Sequence, residues 1–142
     1  MVLFYMQSTK ISVVMPVRDR AGEIAARVQR LLDGLADLTQ DLSEIILVDD
    51  GSRDTTPEIL EDLRIKYPRL RIIRHDRPRG AEAAGQTGLE RAASELVFIL
   101  ESDSEPCKDD LRRLLQISED ETVVAARAES REEPIAPSLL RR

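Results

Sequence analysis

Hydrophobic and polar residues define two kinds of segment that alternate along the chain. Short, nearly continuous apolar runs rich in Val and Ile predict strands at 11–16, 44–49, 70–74 and 96–100, and a last strand at 122–126. Between these runs, apolar residues recur at helical spacing and predict helices over 21–38, 56–66, 80–94 and around 111–117. Predicted strands and predicted helices therefore alternate over residues 11–126.

This alternation predicts an α/β fold with an open, mostly parallel sheet and helices on both faces. Right-handed crossovers place the loops that follow the strands along one edge, where ligands of open α/β sheets bind. We expect an N-terminal extension over 1–10, one domain over 11–128, and an irregular charged tail over 129–142.

Two adjacent carboxylates, Asp49 and Asp50, follow the second predicted strand directly. An ionised carboxylate at this edge is a good acceptor for the N–H groups of a nucleobase or the hydroxyls of a ribose. Gly51 permits the tight turn that such an approach needs. The alternative is an Asp-rich turn that caps the next helix through Asp54 or Thr56.

A second acidic pair, Glu101 and Asp103, follows the fourth strand. Residues two apart in an extended segment project to the same side, so both carboxylates point toward one ion. Hard oxygen ligands suit Mg²⁺ or Mn²⁺, which would bridge a diphosphate. The alternative is an acidic loop at the start of a helix near Pro106.

Basic residues precede the Ala-rich third helix, with Arg79 and Gly80 at its start. A helix start with a nearby guanidinium can hold a phosphate or a nucleobase carbonyl, although loop arginines are commonly just solvated. His75, the single histidine, fits a packing residue at a strand end better than a catalytic one. No serine and histidine arrangement supports a hydrolase triad.

Composition narrows the classes of function. The 142 residues suffice for one globular domain, with 42% hydrophobic and 34% charged residues. A net charge of −6, 3% aromatic residues and no Trp argue against nucleic acid or an anionic membrane as partner. One cysteine, Cys107, suits a reducing compartment, and no apolar run is long enough to span a bilayer. We expect a cytoplasmic protein without a transmembrane segment.

Two common nucleotide-binding fingerprints are missing. The stretch 16–22 after the first strand does not supply the glycine-rich turn of a dinucleotide site, and the chain has no P-loop lysine. An unrelated α/β nucleotide-binding enzyme is therefore disfavoured.

Taken together, the segments resemble the start of a family 2 glycosyltransferase, of the GT-A fold. Residues 11–17 resemble the first strand of that family, and 46–54 (ILVDDGSRD) match its most recognisable motif. Residues 79–88 resemble its glycine- and alanine-rich helix start, 98–103 occupy the place of its metal motif, and 123–127 resemble the following strand. The resemblance covers about residues 10 to 127, and the order and spacing of the motifs make it specific.

The resemblance implies a Rossmann-like half of a GT-A fold that binds a nucleotide-diphospho-sugar, with UDP or GDP as the nucleotide. It implies that Pro16 and Val17 line the base pocket and that Asp50, together with Asp49, contacts the base or ribose. It also implies that Asp103, with Glu101, binds Mg²⁺ or Mn²⁺ on the diphosphate.

The sequence also departs from the family pattern. The first strand of the family is usually followed by an aromatic residue, an Asn and a Glu, but Arg18, Asp19 and Arg20 stand here. Gly85 and Gln86 replace an expected basic and amide pair, and Glu101 replaces the first Asp of the metal motif.

The resemblance stops where the acceptor-binding half, with its catalytic base, is expected to start. Two interpretations follow: a glycosyltransferase whose acceptor site is completed elsewhere, or a non-catalytic module that binds nucleotide-sugar or another protein. A half-domain leaves a sheet edge uncovered, so we also expect that homo-oligomers can form there.

Overall fold

The structure, a computed structural model, describes residues 10–40, 42–100, 108–118, 125–127 and 138–141. The described elements are, in chain order, β1 (Ile11–Val17), α1 (Ile24–Leu38), β2 (Leu42–Asp50), α2 (Thr56–Lys66), β3 (Leu70–His75), α3 (Ala81–Arg91), β4 (Leu96–Ile99), α4 (Lys108–Ser118), β5 (Ala125–Arg127) and β6 (Ser138–Arg141). The predicted α/β class is confirmed.

The six strands form one sheet in the order β3-β2-β1-β4-β6-β5. Strands β1 to β4 run parallel to one another, as the alternating pattern predicts. Strand β6 lies between β4 and β5 and is antiparallel to both. Strand β6 falls in the tail that we expected to be irregular. The local sequence does not predict it, because its four residues become a strand only when β4 lies next to them in space.

Helices cover both faces of the sheet. Buried side chains of α1, α2 and α4 pack on the face formed by Val13, Met15 and Val17 of β1. Helix α3 packs on the opposite face, against Val14 and its neighbours in β2 and β4. Within the described ranges, no helix has both the length and the apolar character needed to cross a membrane.

Helix α3 lies unusually close to the sheet because glycines face it. A methyl group added at Gly88 would overlap the side chain of Val14, and one added at Gly85 would lie 3.1 Å from Cγ2 of Ile99. These glycines therefore let the helix backbone approach β1 and β4 directly. The close approach places the start of α3 beside the carboxyl ends of β1 and β2.

The other end of α3 is held by a buried glutamate of β2. The Glu44 carboxylate accepts hydrogen bonds from Ser12 Oγ, the Ala93 backbone N–H and Arg71 Nη1, each at 2.6 Å. Burial acts to raise the pKa of the Glu44 carboxyl, but these donors outweigh it and hold the pKa below its ordinary value. Glu44 thus joins three strands to the segment that follows α3.

The glycine contact gives a direct test of this packing. We expect Gly88→Ala to lower the free energy of unfolding by about 1–3 kcal/mol, because the added methyl group forces α3 away from Val14. The matched control is Gly34→Ala in α1, where nothing lies within 4 Å of the new methyl group. There the higher helix propensity of alanine should stabilise the protein by up to about 1 kcal/mol. Urea unfolding of both variants measures the difference, and a neutral Gly88→Ala would contradict the close approach.

Candidate functional site: a pocket at the carboxyl edge of the sheet

A cavity of about 320 Å³ opens at the carboxyl edge, between the loop after β1, the end of β2 and the start of α3. Its walls come from three segments that are far apart in sequence. They are formed by Pro16, Val17, Arg18, Asp19, Arg20, Asp50, Gly80 and Ala81. Four residues that we expected to bind a nucleotide therefore lie around one cavity: Pro16, Val17, Asp50 and Gly80.

Asp50 is the central polar residue of this cavity, and only 3% of it is exposed. Its Oδ1 accepts from the Arg79 backbone N–H at 2.9 Å and lies 2.8 Å from His75 Nδ1, while its Oδ2 accepts from the Gly80 backbone N–H at 2.9 Å. Burial acts to raise the pKa of the Asp50 carboxyl, but the hydrogen bonds from His75, Arg79 and Gly80 bring it below its ordinary value. Asp50 is therefore an ionised acceptor at neutral pH.

The same contacts limit what Asp50 can offer to a ligand. A carboxylate has about four acceptor sites, and the bonds to His75, Arg79 and Gly80 occupy most of them. The remaining capacity is on Oδ2, which accepts one of these three bonds, and Asp50 lines the cavity. Asp50 thus builds the wall of the pocket and keeps room for one hydrogen-bond donor.

Asp49 has a different position from its neighbour. Because side chains alternate along a strand, Asp49 faces the α1 and α2 side and Asp50 faces α3. Asp49 Oδ1 accepts from the Ser52 backbone N–H at 3.0 Å, and Asp49 is not among the residues that line the cavity. Its buried Oδ2 has no hydrogen-bond partner among the described residues, and Arg74 Nε lies 3.7 Å away. The structure thus separates the two aspartates, and Asp49 shapes the turn after β2.

The loop after β1 is fastened to the loop after β2 through Asp19, a residue that the sequence analysis named only as a departure from the family pattern. The Asp19 backbone N–H donates to Ser52 Oγ at 2.9 Å, and Asp19 Oδ1 accepts from the Arg53 backbone N–H at 2.7 Å. Asp19 has a positive φ of 51°, a conformation that Asp tolerates better than most residues. The polar residues of both loops were visible in the sequence, but their pairing depends on β1 and β2 being neighbours.

Asp54 and Thr56 continue this link between the loops. Asp54 Oδ1 accepts from the Thr56 backbone N–H at 2.8 Å, so Asp54 does cap the turn that enters α2. Its Oδ2 also accepts from the Ala21 backbone N–H at 3.2 Å, and Thr56 Oγ1 accepts from the Arg20 backbone N–H at 2.9 Å. The capping interpretation is therefore correct for Asp54, and both side chains also hold the wall of the pocket.

Gly51 forms the turn that follows Asp50, at the point where the loop before α3 packs against it. Its φ is +72°, and a Cβ atom there would lie 2.5 Å from the backbone nitrogen of Pro78. Only glycine permits this contact between the two loops, as the tight-turn interpretation requires.

Arg79 contributes its backbone to the site, in contrast to the side-chain role that the sequence suggested. Its N–H donates to Asp50, whereas a guanidinium nitrogen lies 3.4 Å from the exposed carboxylate of Asp76. His75 is buried, as expected of a packing residue, but its ring also contacts Asp50 Oδ1 and Thr87 Oγ1, both at 2.8 Å.

The two acidic residues that we expected to bind a metal, Glu101 and Asp103, lie outside the described residues. The chain leaves β4 at the carboxyl edge beside β1, where the Leu100 backbone N–H donates to the Val14 carbonyl at 2.8 Å. Elsewhere in the described part of the chain, no three His, Cys, Asp or Glu residues form a group that could hold a metal ion.

Comparison with known proteins identifies the family. The sequence matches Glycosyl transferase family 2 over residues 12–138. The chain therefore belongs to this family, which confirms the resemblance of its motifs.

Individual relatives are longer than this chain. It is 32% identical over 105 residues to "Glycosyltransferase AglE" of Haloferax volcanii, a match that covers 72% of this chain and 33% of the relative. It is 32% identical over 92 residues to "Dolichyl-phosphate beta-glucosyltransferase ALG5C" of Trichomonas vaginalis, which covers 60% of this chain and 27% of the relative. The chain thus spans about a third of the length of these relatives.

A solved structure shares the fold. Mannosyltransferase PcManGT from Pyrobaculum calidifontis, determined in complex with GDP-Man and Mn²⁺, superposes with a TM-score of 0.72 at 21% sequence identity. The match covers 94% of this chain and 45% of that protein. The described sheet and helices are therefore the Rossmann-like half of a GT-A fold.

The lowered pKa of Asp50 predicts how the site responds to acid. Asp50→Asn should reduce the free energy of unfolding at neutral pH by about 1–3 kcal/mol, because a buried charge-assisted network is weakened. In the unfolded chain, Asp50 keeps the ordinary Asp pKa of about 3.9. As the pH falls below about 4, Asp50 is therefore protonated in the unfolded chain at a higher pH than in the folded protein. The advantage of the wild type over Asp50→Asn should therefore shrink as the pH falls through the folded pKa.

Urea unfolding between neutral and acidic pH measures this effect. The control is Asp76→Asn, which removes the same charge from a carboxylate with a side-chain exposure of 85% and should change the free energy of unfolding at neutral pH by less than about 1 kcal/mol. A constant difference between wild type and Asp50→Asn across the whole range would contradict an ionised, hydrogen-bonded Asp50.

Proposed function

We propose that the pocket binds the nucleotide of a nucleotide-diphospho-sugar, with UDP or GDP as the nucleotide. The observation that carries the proposal is the convergence of three family motifs on one cavity. Pro16 and Val17 come from the first motif, Asp50 from the second, and Gly80 from the third. The family membership of the chain supports a glycosyl donor as the ligand class.

The chemistry of the cavity suits such a ligand. Asp50 supplies an acceptor for an N–H group of a base or a ribose hydroxyl. Arg18 and Arg20 line the same cavity and supply donors for phosphate oxygens. The volume of about 320 Å³ is at the lower end of the range for small-molecule pockets.

A divalent metal completes the proposed donor site. Glu101 and Asp103 would hold Mg²⁺ or Mn²⁺, because paired carboxylates supply the hard oxygen ligands that these ions prefer. When bound, the ion would neutralise charge on the diphosphate and stabilise the departing nucleotide. PcManGT, which has the same fold, was determined with Mn²⁺ and GDP-Man.

Transfer of the sugar to an acceptor is the second part of the proposal. The two relatives described above are named as a glycosyltransferase and a glucosyltransferase, and the chain corresponds to about a third of their length. Deprotonation of an acceptor hydroxyl needs a positioned base, and the two carboxylates that line the described pocket, Asp19 and Asp50, already accept backbone N–H groups. We therefore place the donor site in this part of the protein and leave the acceptor unassigned.

Titration calorimetry with a UDP-sugar and a GDP-sugar, each with and without Mn²⁺, tests the site. We expect one nucleotide to bind in the micromolar range and Mn²⁺ to strengthen binding by about tenfold or more. Asp103→Ala should remove the effect of Mn²⁺, whereas the control Asp76→Ala should retain it. Absence of binding for both nucleotides would refute the proposal, and unchanged metal dependence in Asp103→Ala would refute the metal assignment. Binding without sugar hydrolysis or transfer would identify a non-catalytic nucleotide-sugar-binding module.

The arginines of the β1 loop make a separate prediction. The double substitution Arg18→Gln, Arg20→Gln should weaken binding of the nucleoside diphosphate by about tenfold or more, because charge-assisted hydrogen bonds to the phosphates are lost. Binding of the corresponding nucleoside, which carries no phosphate, should change little. Arg64→Gln on α2, where Arg64 is paired with Glu61, is the matched control. Equal loss for nucleoside and nucleoside diphosphate would contradict a phosphate contact.

A further inference from the structure

His75 is a buried polar residue that the proposed binding chemistry does not use. It ends β3 and lies opposite Asp50 in the β2–β3 register. The two residues are 4% and 3% exposed, and His75 Nδ1 lies 2.8 Å from Asp50 Oδ1. Because an ionised carboxylate only accepts hydrogen bonds, Nδ1 carries the proton of this contact.

The imidazole ring is held at both nitrogens. Nε2 lies 2.8 Å from Thr87 Oγ1 on α3, and this hydroxyl is 3.0 Å from the Ala83 carbonyl one turn earlier. The ring therefore spans from β3 to α3, and its orientation is fixed while it contacts Asp50. An apolar residue of the same size could fill this space but could not fix the carboxylate.

Asp50 holds the Arg79–Gly80 backbone of this wall through hydrogen bonds. Gly80 has a φ of +102°, and no atom beyond its immediate neighbours lies within 4 Å of where a Cβ would stand. The hydrogen bond from the Gly80 N–H to Asp50 Oδ2, together with that from the Arg79 N–H to Oδ1, ties this backbone to the end of β2.

We propose that His75 is a positioning residue: it orients the Asp50 carboxylate so that both oxygens fasten the Arg79–Gly80 backbone, and so sets the α3 wall of the pocket. Without His75, the carboxylate loses its only side-chain donor among the described residues and can rotate about its Cβ–Cγ bond. The two oxygens then no longer face the backbone N–H groups of Arg79 and Gly80 at the same time. The effect on the backbone stands by itself, and its consequence for ligand binding rests on the proposed function.

Amide hydrogen exchange at Arg79 and Gly80, measured by NMR without ligand, tests the proposal. His75→Leu removes the donor and keeps an apolar side chain, and it should speed exchange at both amides by about tenfold. His75→Asn places an amide nitrogen near the position of Nδ1, so it should retain exchange close to that of the wild type. Both variants lose ring packing, and both should therefore unfold at lower temperature. A residue that acts only by packing would raise exchange equally in the two variants.

A second pair of variants keeps the test decisive if His75→Leu does not fold. His75→Gln extends its amide toward the position of Nε2 and Thr87, and it should expose the Arg79 and Gly80 amides more than His75→Asn does. In an Asp50→Ala background, replacing His75 should add no further increase at these amides, because His75 acts through Asp50. Additive increases would overturn the proposal.

Binding of UDP and GDP in the presence of Mn²⁺ supplies the functional readout. We expect His75→Leu to weaken binding of whichever nucleotide the wild type binds by about tenfold. His75→Asn should retain most of the wild-type affinity. If the wild type binds neither nucleotide, the proposed function fails, while the exchange measurements still decide the role of His75. If the exchange rates follow the proposal but affinity is equal in all variants, the positioning of the wall has no part in binding, and the functional half of the inference is wrong.

Discussion

The buried carboxylate of Asp50 joins three parts of the chain that meet only in the folded protein. It ends β2, contacts His75 at the end of β3, and accepts the backbone N–H groups of Arg79 and Gly80 at the start of α3. A buried charge is tolerated only when donors surround it, and the lowered pKa of Asp50 shows that these donors outweigh the cost of burial. This one group therefore ties the α3 wall of the pocket to the end of β2.

Helix α3 is fixed to the sheet at both of its ends by carboxylates of the same strand. Glu44 anchors the segment after the helix, Asp50 anchors the segment before it, and Gly88 lets the helix lie directly on Val14 between them. Two polar anchors and one close apolar contact leave the helix little freedom to shift. A rigid α3 keeps the Arg79–Gly80 backbone in a fixed place beside Asp50.

The loop after β1 is the part of the pocket in which this chain differs from the family pattern. Asp19 fastens that loop to the β2 loop, and the flanking Arg18 and Arg20 line the cavity. The two guanidinium groups bring positive charge to the cavity while they contact Asp19: Arg18 Nε lies 3.9 Å from Asp19 Oδ2, and Arg20 Nη1 donates to the Asp19 carbonyl at 3.4 Å. In this interpretation the loop keeps its place in the fold while its side chains favour a phosphate-bearing ligand.

The α/β class, the order of the elements from β1 to α4 and the set of loops that meet at the carboxyl edge could all be predicted from the sequence. These follow from local patterns, since strand and helix periodicity and the motif around Asp49 and Asp50 do not depend on distant residues. Only the tertiary structure shows that Asp49 and Asp50 face opposite sides of the sheet. Only it shows that Asp50 accepts from the Arg79 backbone N–H and pairs with His75. It also made a strand of Ser138–Arg141, which has no strong pattern of its own and pairs with β4. Each of these outcomes depends on which strands are neighbours and on which face a side chain emerges, and a hydrogen bond between residues so far apart in sequence exists only once the sheet has formed.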